Sequence, residues 1–171
     1  MSFCKRYASI KPRLLAPLFL GVSILVSADA MADDWPESGW EVMPSEHSYT
    51  QLLEQLRIAV SDAGMFIVTE AGPTEAAAQR GIELPGNRVI GVFRNDFAVS
   101  ILRQSVPAMI EAPLRFYVTE DTDGSATLAW KVPSAVFSPY INANTGELAQ
   151  IATELDDLFV EIGQDALKAI P

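Results

Sequence analysis

Cysteine and histidine occur once each in this 171-residue chain, as Cys4 and His47, and 12 Lys and Arg face 22 Asp and Glu. Each scarcity excludes a chemistry. A Cys/His zinc site, an iron–sulfur cluster, a CxxC redox pair and a structural disulfide all need more of these side chains than the chain holds. A formal charge of −10 repels phosphate backbones and anionic lipid, so nucleic acid is not an expected partner. The longest apolar run, Leu14 to Val26, has 13 residues and contains Pro17 and Gly21. It is too short to span a bilayer as a permanent helix, which takes roughly 20 residues. What is abundant is apolar surface: 49% of positions are hydrophobic, enough for one domain with a substantial core.

The apolar run follows a segment carrying Lys5, Arg6, Lys11 and Arg13 without an acid, which is the profile of an export signal. Small-residue cleavage patterns follow at Ala28-Asp29-Ala30 and at Ala30-Met31-Ala32. Cleavage after Ala32 is favoured over cleavage after Ala30, because the acidic pair Asp33-Asp34 then opens the mature chain. Cys4 precedes the apolar run and is not placed as a lipoprotein acceptor. The expectation is a periplasmic or secreted protein with no membrane attachment after cleavage. Losing residues 1–32 removes four bases, one acid and the cysteine, leaving 139 residues with 8 bases against 21 acids, a charge of −13. Without disulfides, those residues must fold on core burial alone.

Residues 33–47 show no period and read as a lead-in packing through Trp35 and Trp40. A single α+β domain is expected over 48–171. Ser48-Tyr49-Thr50-Gln51 is a capping-box pattern, and Leu52, Leu56, Ala59, Val60 and Ala63 follow at helical spacing until Gly64. Met65 to Glu70 reads as a strand, and Thr74 as the cap of a short helix ending at Gly81. Val89 to Phe93 is apolar except at Gly91, as in a central strand buried on both faces. Asp96 is placed to cap a helix through about Gln104. Leu114 to Thr119 and Ala126 to Val132, joined across Asp123-Gly124, form a hairpin in which Leu114, Phe116 and Val118 alternate with Arg115, Tyr117 and Thr119. Pro133 to Gly146 reads as a long loop, and Leu148 to Ala166 as an amphipathic helix. This order predicts an α+β fold, a mostly antiparallel sheet with helices on one face.

Gly64 ahead of a strand, Ala76-Ala77-Ala78, Gly81-Ile82-Glu83-Leu84, Val89 to Asn95, Ala112-Pro113-Leu114-Arg115, Glu120-Asp121, and Asp123-Gly124 with Leu128-Ala129-Trp130 together resemble the family called domain of unknown function 302. The resemblance covers Ser48 to Ile170. This chain has Phe93-Arg94-Asn95-Asp96 where the family usually carries a Phe-Gly-Asn-Pro turn. The resemblance implies a small α+β domain with a layout similar to the TATA-box-binding-protein fold, often associating as dimers. It implies no established activity and no catalytic residues.

His47, between Glu46 and Ser48, reads as a polar residue at a helix entry rather than as a catalytic base. Met43, His47 and Tyr49 lack the CxxCH context of a haem site, and no cofactor is expected. Glu120, Asp121 and Asp123 crowd one turn without EF-hand spacing, so no metal is expected either. The strongest candidate is the sheet face carrying Arg115, Tyr117, Thr119, Thr127 and Lys131. Two of the eight mature basic residues on one face suggest a site for a small anionic ligand, lined by Arg115, Lys131 and Tyr117, with the loop around Phe137 and Tyr140 as a lid. A homodimeric interaction module is the second expectation, because the Val89–Phe93 strand needs cover on both faces. A carboxylate-based enzyme ranks third, with no pair singled out by spacing.

Overall fold

The computed structural model describes residues 35–168; the expected signal segment and its cleavage points lie outside them. Five strands, β1 (Trp40–Ser48), β2 (Phe66–Ala71), β3 (Asn87–Phe93), β4 (Leu114–Glu120) and β5 (Ser125–Lys131), form one sheet in the order β1-β5-β4-β3-β2. Every neighbouring pair is antiparallel. The helices are α1 (Tyr49–Asp62), α2 (Thr74–Ala78), α3 (Asn95–Gln104), α4 (Pro133–Phe137) and α5 (Gly146–Ala166). The fold is the expected α+β class, an open antiparallel sheet with helices packed against it.

The local rules read from the sequence account for most of these elements. The Ser48 hydroxyl accepts from the Gln51 amide while the Gln51 side chain accepts from the Ser48 amide, which satisfies two donors at the start of α1. Gly64 ends that helix with φ +70°, a conformation that costs glycine little. Strand alternation places Leu114, Phe116 and Val118 inside, opposite Leu128 and Trp130 of β5. Against this face, α1 contributes Leu52, Leu56 and Val60, and α5 contributes Leu148, Leu155, Phe159 and Ile162, all fully buried. Phe116 stacks on Phe159 at 4.4 Å and meets Trp130 edge-on at 5.4 Å. Each such ring buries roughly 150–250 Å² of apolar surface.

Other details differ from the sequence reading. Residues 40–47, read as lead-in, belong to β1, which pairs with β5 through Val42↔Ala129 and Pro44↔Thr127. A proline inside the segment hides the strand, and an edge strand tolerates it because one side of its backbone is unpaired. The lead-in does pack through its tryptophans, with ring centroids of Trp35 and Trp40 5.6 Å apart. Thr74 does not cap α2; its hydroxyl donates to the Pro85 carbonyl at 3.1 Å. Asp96 lies within the first turn of α3 and accepts from Arg94 Nε at 2.9 Å instead of capping. The Val89–Phe93 strand is not central: β4 is the middle strand, and β3 lies next to the edge. Ile90 and Val92 of β3 face the helices, while Gly91 on the other face is closed over by the Thr69 and Pro113 side chains. The expected long loop after β5 instead contains α4 and a turn of 3₁₀ helix over Ser138–Tyr140.

Candidate functional site

The strand registers put Arg115, Tyr117 and Thr119 of β4 on the sheet face away from α1 and α5. Lys131, Ala129 and Thr127 of β5, Asn87 and Val89 of β3, and Trp40 and Val42 of β1 share that face. Over one end of it lies a cavity of about 380 Å³, lined by Arg115, Lys131, Tyr117, Trp40, Asn87, Val89, Leu114, Trp130 and, from α4, Val136. This volume falls at the low end of the range for small-molecule sites.

Three of the residues singled out from the sequence, Arg115, Tyr117 and Lys131, therefore come together in one cavity. Phe137 and Tyr140 do not join them. The Phe137 side chain is 1% exposed and packed in the core. The Tyr140 hydroxyl donates to Glu111 Oε1 at 2.6 Å, a bond that holds the phenol above its usual pKa. The lid expected from these two rings is absent from the geometry of the described residues, and the α4 side of the cavity is supplied by Val136. Sequence reasoning missed Trp40, Asn87, Val89 and Val136. Extending the β4 alternation to neighbouring strands by register would have found Val89 and Asn87, which pair with Tyr117 and Thr119.

The site's electrostatics depart from what an ordinary sheet face would favour. Arg115 and Lys131 flank the Phe116–Trp130 pair in the β4–β5 register, one residue beyond it on each strand. Like charges facing each other across two strands destabilise a sheet. Among the described residues, the ion pairs are Arg57–Glu70, Arg88–Glu75, Arg94–Asp96 and Lys168–Asp165, so neither Arg115 nor Lys131 has a carboxylate partner. Lys131 Nζ instead lies 5.7 Å from the Trp40 ring centroid, within cation–π range. Trp35 in turn packs edge-on against Tyr117 at 5.9 Å. Asn87 Nδ2 donates to the Tyr117 oxygen at 2.5 Å, which leaves the phenolic proton free to be donated elsewhere. The cavity lining thus combines two cations and a hydroxyl with aromatic and aliphatic side chains.

The remaining polar candidates are engaged in local structure. His47 Nε2 donates to the Lys168 carbonyl at 3.0 Å, tying the end of β1 to the end of α5. Met43 packs its sulfur beside Gly163 of α5. In the β4–β5 turn, Asp123 accepts from the Ser125 hydroxyl and amide, and Asp121 accepts from Thr127 Oγ1. Glu120 accepts from the Gly86 amide. Among the described residues, no three His, Cys, Asp or Glu side chains converge as a metal site, and no helix is long and apolar enough to cross a membrane.

No curated protein matches the chain. A crystal structure of an uncharacterized conserved DUF302 protein from Bacillus stearothermophilus is similar, with a TM-score of 0.66 and 14% identity, covering 76% of this chain and 98% of that one. At that identity the likeness establishes the fold. The pattern of the family described as "Domain of unknown function DUF302" matches residues 41–162, from within β1 to near the end of α5. Since that match takes in well over half of the sequence and every strand of the sheet, the chain belongs to the DUF302 family.

Proposed function

We propose that this protein is a non-catalytic binding module for a small anionic ligand, held in the cavity on the open sheet face. One observation carries the reading: Arg115 and Lys131 stand side by side without carboxylate partners among the described residues, in a chain whose acids outnumber its bases 22 to 12. With so many carboxylates available, pairing these cations would be easy, and leaving them facing each other costs sheet stability. Departures of this kind from the local rules concentrate at functional sites. A bound anion would remove the repulsion, so binding should stabilise the fold. Melting temperatures measured with a panel of small anions test this. At least one anion should raise the melting point of the wild type and lose most of its effect on Arg115→Ala; equal shifts in both proteins, or none in either, would refute the reading.

A homodimeric interaction module is the second reading, favoured by the edge strand β2, where Phe66 is 68% and Val68 51% exposed. An edge strand with exposed apolar residues is a template for pairing with another chain. Light scattering at micromolar concentration discriminates: a dimer that Phe66→Lys dissociates supports this reading, and a monomer removes it. We also propose export to the periplasm or the medium, on the strength of the basic, apolar and small-residue succession over residues 1–32. The intact mass of the protein recovered outside the cytoplasm should correspond to residues 33–171, and a mass that includes residues 1–32 would contradict cleavage.

A further inference from the structure

The cavity lining combines cations with apolar side chains, and together they restrict the ligand more than its charge alone does. The cations are Arg115 and Lys131. The apolar lining includes Trp40, beside which Lys131 Nζ lies, and the side chains of Val89 and Val136. We infer that the ligand is an aryl carboxylate, a flat apolar body of one or two rings with a single anionic end; this rests on the anion-binding reading above. Three features support that class.

The first is size. A cavity of about 380 Å³ is far larger than a bare oxyanion, which displaces only a few waters at roughly 30 Å³ each. A small inorganic anion bound at Arg115 would leave Trp40, Val89 and Val136 without contact. The second is the placement of the cation relative to the ring. Lys131 Nζ lies over Trp40 at 5.7 Å, so a carboxylate that reaches Lys131 brings its own attached ring onto the indole, where offset stacking or an edge-to-face contact is favourable. Arg115 presents the planar fork that a carboxylate meets with two parallel hydrogen bonds. The third is net charge. A chain at −10 overall repels a polyanion more strongly than a monoanion, and two cations suffice for one carboxylate. The free phenolic proton of Tyr117 adds one donor for an acceptor on the ligand body, such as a ring hydroxyl or carbonyl oxygen.

Calorimetric titration with four probes separates this inference from the reading beneath it. The probes are 2-naphthoate, its neutral counterpart 2-naphthamide, acetate and inorganic phosphate, each added to the wild type, Arg115→Gln and Trp40→Ala. Thermal melts of each variant establish that it is folded, and Trp40→Leu replaces Trp40→Ala if the latter does not fold. Naphthoate should bind the wild type at least tenfold more tightly than naphthamide, acetate or phosphate. Arg115→Gln should weaken it at least tenfold, and the Trp40 variant should weaken naphthoate while leaving acetate unchanged. Acetate or phosphate binding as tightly as naphthoate, and depending on Arg115, would overturn the aryl inference and leave the anion reading standing. Naphthamide binding as tightly as naphthoate, or no probe binding at all, would overturn both.

Discussion

Gly163 sits inside α5, where replacing glycine by alanine ordinarily gains about 1 kcal/mol of helix propensity. A Cβ at this position would lie 2.6 Å from the Trp130 ring and 3.1 Å from the Met43 sulfur. Trp130 is held in turn by Phe116, so neither it nor the helix can yield without disturbing the core. Overpacking of this kind costs about 1–3 kcal/mol, which matches or outweighs the propensity gain. Gly163→Ala should therefore destabilise the protein by up to about 2 kcal/mol in urea unfolding, and a stabilised variant would refute the tight docking of α5 on β1 and β5. At this scale the sequence was informative where side-chain alternation decides orientation. Arg115, Tyr117 and Lys131 were legible as one face because period two is strict in a strand. Phe137 was not legible as core: an aromatic residue in a segment without periodicity carries no sign of whether it turns inward.

Between elements, α1 is tied to the edge strand β2 by Arg57, whose Nε and guanidinium nitrogen donate to the two Glu70 oxygens at 3.0 and 2.7 Å. The hydrogen bond from Arg57 holds the Glu70 carboxyl below its ordinary value of 4.5, and burial opposes this without reversing it. A carboxylate whose folded pKa is depressed contributes stability that is present above its unfolded pKa and is lost as the pH falls through the folded one. Because both side chains are partly exposed, the pair is worth only about 0.5 kcal/mol. Glu70→Gln should lower stability by that amount at pH 7 and by nothing measurable well below pH 4.5, as read by urea unfolding at the two values. A deficit that persists unchanged at low pH would contradict the ionic role.

The elements that were easy to read and those that were hard differ in physical terms. α1 and α5 announce themselves through long apolar periods, and α1 also through its capping box; the β4–β5 hairpin does so through alternation and Gly124 at φ +87°. By contrast, β1 carries Pro44 and an irregular register between Ser45 and Ser48, both of which break the period-two signal. α4 is five residues long, shorter than two turns, so no helical period can develop in it.

At the scale of the whole molecule, the sheet divides the labour between its faces. One is spent on the core with α1 and α5, while the other carries the cations and the aromatic wall. Fold class was legible from the sequence because element order and hydrophobic pattern determine which layers can form. The completed cavity was not, because it joins residues from four strands, β1, β3, β4 and β5, and from α4, and only strand order and register bring Trp40 and Val89 beside Arg115. The acidic composition, with 22 acids to 12 bases, gives that arrangement its significance, since unpaired neighbouring cations are least expected in such a chain. The most direct test follows the indole N–H signals of the tryptophans by nuclear magnetic resonance while 2-naphthoate is titrated into the protein. The Trp40 signal should move saturably, and that response should vanish in the double variant Arg115→Ala, Lys131→Ala. A Trp40 signal that does not respond, or that responds equally in the double variant, would contradict an anion site on this face.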